Sequence, residues 1–222
     1  MPEILEVMIN KNNMVIAGLE KQSLIDWEGN VSAVIFTKGC NFRCIYCHNK
    51  ELVYPCISDK TLNFDENSIL NYLKSRHKWL DGIVITGGEP TIQVDLLQFI
   101  YKLKQLNFCV KLDTNGSNPT VLHQLIKHKL IDYVALDIKT VLEPKEYQHI
   151  CNIIDNDIIT KINESINILR YSNINYQLRT TVLPHYHTDK QKKKLKETLS
   201  FCNNYVFQNY RETNIVIQKS NN

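Results

Sequence analysis

"FCVKLDT" (Phe108 to Thr114), "DYVALDI" (Asp132 to Ile138) and "YQLRTTV" (Tyr176 to Val182) are β-branched runs that alternate apolar with polar residues. Side chains point to opposite faces along a strand, so Lys111 and Asp113 share one face of the first run. Asp137 and the following Lys139 share one face of the second, and Gln177, Arg179 and Thr181 one face of the third. The opposite faces carry Val110 and Leu112, Val134, Leu136 and Ile138, and Leu178 and Val182.

Outward from these, "VSAVIFT" (Val31 to Thr37), "GIVITG" (Gly82 to Gly87) and "YVFQ" (Tyr205 to Gln208) complete six predicted strands. Segments with apolar residues three and four apart lie between them: Ile69, Leu70 and Leu73; Leu96, Leu97, Ile100 and Leu103; Leu122, Leu125 and Ile126; Ile162, Ile166 and Leu169; Leu195 and Leu199. These predict helices, with Asp65 and Thr91 near N-termini, Asn115-Gly116 as a turn, and an irregular connection over Leu142 to Thr160. Alternating strands and helices imply parallel strands joined by right-handed crossovers. Strands covered by helices on both faces should be apolar on both, and a closed eight-stranded barrel fills its interior with apolar side chains. Six strands with a partly polar inner face therefore predict an α/β fold: a partial (β/α)6 TIM-type barrel of parallel strands, its site at the C-terminal strand ends. Residues 1–222 are expected to form a single domain, with a short N-terminal extension over about residues 1–20.

The bulk composition agrees. The chain has 222 residues, 43% hydrophobic and 22% charged, which is ordinary for a globular protein. A net charge of +3 is too small to imply a nucleic-acid partner by itself, since phosphate binding needs a concentrated basic face. The basic cluster "DKQKKKLKE" (Asp189 to Glu197) reads as the solvated face of an amphipathic helix. No leader-like apolar region opens the sequence and no apolar run is long enough for a membrane span, so a soluble cytoplasmic protein is expected. Seven cysteines, three of them clustered, suit a metal better than a disulfide framework.

Those three lie in "GCNFRCIYCHNKE" (Gly39 to Glu51), directly after the first predicted strand. Cys40, Cys44 and Cys47 suit zinc or an iron–sulfur cluster, with His48, Cys56 or a remote residue as a fourth ligand if the site closes. A [4Fe–4S] cube on three thiolates alone keeps one iron open to a second cofactor. "TGGEP" (Thr86 to Pro90) ends the next strand. Its Gly87 and Gly88 permit close backbone approach, and Glu89 could accept from a cationic amine. "LDTNG" and "LDIK" place Asp113 and Asp137 at further strand ends, converging with Arg179 on one mouth.

The Cys-x3-Cys-x2-Cys spacing, the aromatic Tyr46 and the Gly87-Gly88-Glu89-Pro90 turn resemble the radical S-adenosylmethionine (SAM) superfamily. Within it, "SLIDWEGNVSAVIFTKGCNFRCIYCHN", "DGIVITGGEPT", "VKLDTNGSNP" and "DYVALDIK" resemble the activating proteins of anaerobic ribonucleoside-triphosphate reductase, over about Ile16 to Arg211. The resemblance implies that Cys40, Cys44 and Cys47 hold a [4Fe–4S] cluster whose open iron chelates SAM. It implies that Tyr46 lies by the adenine, Gly87, Gly88 and Glu89 by the methionyl amine, and Asp113, Asp137, Lys139 and Arg179 around the ribose, carboxylate or a nearby cation. It further implies an electron donor such as flavodoxin or ferredoxin, and a glycyl-radical protein as partner. A pyruvate formate-lyase-type activase, a 7-carboxy-7-deazaguanine synthase-like enzyme and a non-catalytic iron–sulfur or zinc module are the alternatives. One departure stands out: "TVLPHYHTD" replaces an expected Pro-Gly turn, and His185 and His187 are expected on the surface.

Overall fold

The computed structural model describes residues 14–53 and 64–210. Seven strands lie side by side in chain order: β1 (Ile16–Ser23), β2 (Ser32–Thr37), β3 (Gly82–Gly87), β4 (Cys109–Thr114), β5 (Tyr133–Asp137), β6 (Asn175–Val182) and β7 (Tyr205–Asn209). Strands β2 to β7 are the six expected ones, all parallel, in an open partial barrel. β1 is additional and antiparallel to β2, and it begins within the stretch read as an N-terminal extension. Only its first turn of sequence is apolar; Glu20, Lys21 and Gln22 are exposed, as suits an edge strand but hides the strand from pattern reading.

The helices are α1 (Lys50–Val53), α2 (Glu66–Arg76), α3 (Leu96–Gln105), α4 (Pro119–Lys127), α5 (Pro144–Cys151), α6 (Ile158–Tyr171) and α7 (Asp189–Thr198). Asp65 caps α2 by accepting from the Ser68 amide at 2.8 Å. Thr91 sits inside a 3-10 turn, Pro90–Ile92, whose cap is Glu89. The stretch Leu142 to Thr160 is not wholly irregular, because α5 lies within it. That helix is only eight residues long and buries just Tyr147, Ile150 and Cys151, too short a pattern to stand out. In α7 only Leu195 is buried and a Thr188–Gln191 capping box starts the helix, so the lysine cluster is the solvated face expected of it.

The outward faces of the strands meet the helices. Val110, Leu112, Val134, Leu136, Ile138 and Leu178 are all fully buried. Each such side chain contributes about 1.5–3 kcal/mol by leaving water. β2 and β3 are apolar on both faces, whereas β4, β5 and β6 carry the polar inner residues, so the polar interior is confined to one half of the barrel. The β1–β2 loop closes the N-terminal end. Gly82 is required there because a Cβ would lie 2.5 Å from the Trp27 ring. The Lys111 ammonium, inside the barrel, donates to the carbonyl of Asp26 in the same loop. Among the described residues no helix is long and apolar enough to cross a membrane.

Candidate cofactor site

The polar inner residues form one chain of ion pairs. Lys111 lies 3.3 Å from Asp113, Asp113 lies 2.9 Å from Arg179, Arg179 pairs through Nε with Asp137, and Asp137 lies 3.0 Å from Lys139. The register puts Asp137 opposite Arg179 and Asp113 beside β5, which is why alternation on three strands gathers these groups. Burial works to raise the Asp137 carboxyl, but Arg179 and then Lys139 outweigh it and hold it well below the usual carboxylate range. Burial likewise opposes the Lys139 charge, and Asp137 restores it. Charges inside a fold persist only when paired in this way.

The cysteine loop runs from the end of β2 over the mouth. Its frame is backbone: the Gly39 amide donates to Leu52 (2.7 Å), the Arg43 amide to Cys151 (2.8 Å) and the Ile45 amide to Ile150 (3.0 Å). The Arg43 guanidinium bonds back to the carbonyls of Cys40 and Phe42. Cys40, Cys44 and Cys47 are free and partly buried. Among the described residues no three His, Cys, Asp or Glu side chains are gathered closely enough to hold a single metal ion. Burial, with the nearby Glu89, pushes the Cys40 thiol up to about 12, and burial also raises Cys47. Cys44 is lowered, chiefly because the Cys151 thiol donates to its sulfur, while burial and that same bond raise Cys151. The Lys139 charge favours the thiolate at all three loop cysteines.

Cys151, which lies outside the three-cysteine motif, is fully buried beside the loop. Nothing in its spacing signals this, since α5 brings it there from far along the chain. Cys202 is also buried and Cys109 exposed at the start of β4. Cys56 lies outside the described residues.

The Gly-Gly turn has a packing reason. Gly87 has φ +110, where a side chain is strained, and a Cβ on Gly88 would lie 1.8 Å from the Gly39 carbonyl oxygen. The Gly88 amide donates to Thr37 (2.9 Å) and the Glu89 amide to Gly39 (2.8 Å), so the turn is laced to the cysteine loop; Asn49 adds a bond to the Gly87 carbonyl (3.2 Å). Glu89 is almost completely buried. Its Oε1 accepts from the Thr91 amide (3.1 Å), the Thr91 hydroxyl (2.6 Å) and the Thr114 hydroxyl (2.6 Å), and its Oε2 from the Asn115 amide (2.7 Å). Burial raises the carboxyl against those four bonds. Glu89 thus straps the end of β3 to the end of β4. Asn115, Asn41 and Ser117 close a hydrogen-bonded ring between the β4 turn and the cysteine loop.

Tyr46 is buried, its hydroxyl 3.4 Å from the Lys139 carbonyl and its ring edge-on to Tyr210, which also stacks on His48 at 4.8 Å. The Lys139 amide donates to the Tyr147 hydroxyl (3.0 Å). His185 is exposed, with φ +72, and so fills the left-handed position of the missing glycine. His187 corrects the surface expectation: it is 5% exposed, accepts from the Leu183 amide at 3.0 Å and lies 3.0 Å from the Lys139 carbonyl. Tyr147, Cys151, His187 and Tyr210 are the site residues that pattern reading does not reach. Asp113, Asp137, Lys139 and Arg179 are in one connected network, Tyr46 touches it, and Gly87, Gly88 and Glu89 border the cysteine loop.

The Radical SAM superfamily model matches residues 34–202. A Methanocaldococcus jannaschii protein provisionally named a glycyl-radical enzyme activating enzyme is 34% identical over 197 residues, covering 88% of this chain and 80% of that protein. A pyruvate formate-lyase-activating enzyme of Clostridium pasteurianum is 32% identical over 129 residues, covering 57% of this chain and 52% of that protein, about half its length. In fold the chain is similar to Streptococcus suis SuiB, solved bound to S-adenosylmethionine, with a TM-score of 0.57 at 19% identity over 83% of this chain and 41% of SuiB. An open parallel barrel with three free cysteines at the end of its first parallel strand, matched over residues 34–202, leaves one assignment: the chain belongs to the radical SAM superfamily, whose cofactors are a [4Fe–4S] cluster and SAM, and is an enzyme of the class of the glycyl-radical enzyme activating enzymes it resembles.

Proposed function

We propose that this enzyme generates a glycyl radical on an anaerobic ribonucleoside-triphosphate reductase in the cytoplasm. The observation that carries the reading is the cysteine loop set over a pre-charged polar mouth, in a chain that is 34% identical to an activating-enzyme relative along most of both lengths. A flavodoxin or ferredoxin is the expected electron donor, and residues 1–222 act as one core domain with a short N-terminal extension.

The residues fit the cofactors. Cys40, Cys44 and Cys47 are free, share one loop and stand beside a cation, so they would hold the cluster. A coordinated thiol is deprotonated outright, which removes the burial penalty on Cys40 and Cys47. Bound together, cluster and SAM supply one-electron cleavage of a carbon–sulfur bond and hence a hydrogen-abstracting radical. The chain's own part is binding and exclusion of water. Asp113, Asp137, Lys139 and Arg179 would offer fixed charges to the ribose and carboxylate, and Tyr46 would shield the adenine. Gly87 and Gly88 bring backbone close to the methionyl amine. Glu89 serves chiefly by holding the β3 and β4 ends together, and as a carboxylate would also accept from that amine.

The test is anaerobic reconstitution with iron and sulfide, then SAM and dithionite. Wild type should release 5′-deoxyadenosine and methionine, and Cys44→Ala neither. Equal release by both would remove the cluster from the account.

A further inference from the structure

We infer that His187 is a positioning residue of the cofactor site, holding Lys139 and Tyr46 at the barrel mouth through one fixed imidazole tautomer. The inference rests on the SAM-binding reading of that mouth.

Three elements meet at the Lys139 carbonyl. The His187 Nε2 lies 3.0 Å away and the Tyr46 hydroxyl 3.4 Å away, two donors for the two lone pairs of one oxygen. The opposite ring nitrogen settles the proton. Nδ1 lies 3.0 Å from the Leu183 amide, which can only donate, so Nδ1 is unprotonated and Nε2 carries the hydrogen. His187 therefore joins the β6–α7 loop to the end of β5, and through Lys139 to Tyr46 in the cysteine loop. The Lys139 amide is held in turn by Tyr147, and its ammonium by Asp137. A residue whose backbone is fixed on both sides presents its side chain with little freedom.

Within its own loop the imidazole meets only the Leu183 amide among the described residues, and its other ring nitrogen faces Lys139. Pro184, His185 and Tyr186 are exposed, and the Thr188–Gln191 capping box starts α7 without it. The chain adopts a left-handed conformation at a non-glycine residue, His185, two positions before His187 turns inward. Such backbone is retained where the surrounding contacts determine it, and here they are the Tyr186 and His187 amides donating to the Leu183 carbonyl (3.2 and 3.1 Å) together with the two bonds of the ring.

The two bonds can be separated by substitution. Gln can reach the Lys139 carbonyl with its terminal amide nitrogen, whereas Asn reaches only the Leu183 amide. After anaerobic reconstitution of wild type, His187→Ala, His187→Asn and His187→Gln, iron content, urea stability and SAM affinity by equilibrium dialysis are measured. All four should carry the same iron. SAM affinity should fall about tenfold in His187→Ala and His187→Asn, the loss expected of one hydrogen bond, and recover to within about threefold in His187→Gln. A nitrogen-15 spectrum of the cluster-free wild type should show the Nε2–H tautomer. Wild-type affinity in His187→Asn, or a Gln variant as weak as Ala, would overturn the inference, as would an Nδ1–H ring. The ring result reads His187 without SAM, so it can fail while the cofactor reading stands. A wild type that carries its cluster but binds no SAM sinks that reading and this inference together.

Discussion

The barrel mouth is made of two regions that satisfy their chemistry in different ways. The ion chain from Lys111 to Lys139 is paired within the protein: each carboxylate has two cations beside it, although the buried Asp113 Oδ1 makes no hydrogen bond, and all five groups stand on or next to strands. The cysteine loop is held by its backbone but not by these side chains, since Cys40 and Cys47 are partly buried thiols whose charged form burial disfavours. The difference teaches that charge on the ion chain is supported by the fold, whereas charge on Cys40 and Cys47 is not. Substitutions in the first region should act on stability with or without metal. Substitutions in the second should act on metal with little effect on the cluster-free fold.

The largest contrast is expected at Cys44. Cys44→Ala should lose the cluster entirely on anaerobic reconstitution, yet shift the urea stability of the cluster-free protein by less than about 1 kcal/mol. Cys151→Ala should keep its iron, although its thiol is the chief influence that lowers Cys44. Iron analysis decides, and loss of iron in Cys151→Ala would make it a ligand.

Arg179→Met attacks the other region. It leaves Asp113 and Asp137 each with one lysine, and should destabilise the cluster-free protein by about 3 kcal/mol, the low end for a broken buried pair because Asp137 remains a quarter exposed. The sign with pH follows from the depressed Asp137 carboxyl. Its stabilisation is present above the unfolded carboxylate value near about 4 and is lost as pH falls through the lower folded value. Wild type should therefore lose this stability in strong acid, and Arg179→Met should lose less over the same window. Parallel acid curves would mean that Asp137 is not held by Arg179.

Gly88→Ala tests the seam between the regions. Its Cβ would collide with the Gly39 carbonyl, so the turn must move off the cysteine loop at about 1–3 kcal/mol, with reconstitution impaired as well. Normal iron and stability would show that the two loops are not packed as described. The smallest effect belongs to His185. Replacing it with Gly relieves a left-handed residue but loosens the unfolded chain, so thermal melting should show a gain of about 0.5 kcal/mol. A loss above about 1 kcal/mol would mean that the imidazole itself has a role.

The same two regions differ in how far the sequence reveals them. Alternation is a local property of a strand, so Lys111, Asp113, Asp137 and Arg179 announce both their strands and their shared face. Cysteine spacing within one loop is equally local. What escapes is set by tertiary placement. β1 lacks a clear apolar period because its centre is an exposed edge, and α5 is too short to show one. Cys151 and His187 reach the site from α5 and from the loop after β6, and a lone buried cysteine or histidine carries no pattern to say what it faces. The Gly-Gly turn was legible as a close approach, but the partner turned out to be the Gly39 backbone of the cysteine loop.

The central claim is that this mouth delivers a radical to a glycine of a protein partner. The most direct measurement mixes reduced, reconstituted protein with SAM and the anaerobic ribonucleoside-triphosphate reductase of the same organism under nitrogen, and records an electron paramagnetic resonance spectrum. The account predicts a glycine-centred signal on the reductase, absent with Cys44→Ala. Formation of 5′-deoxyadenosine with no glycine signal on the reductase would contradict it.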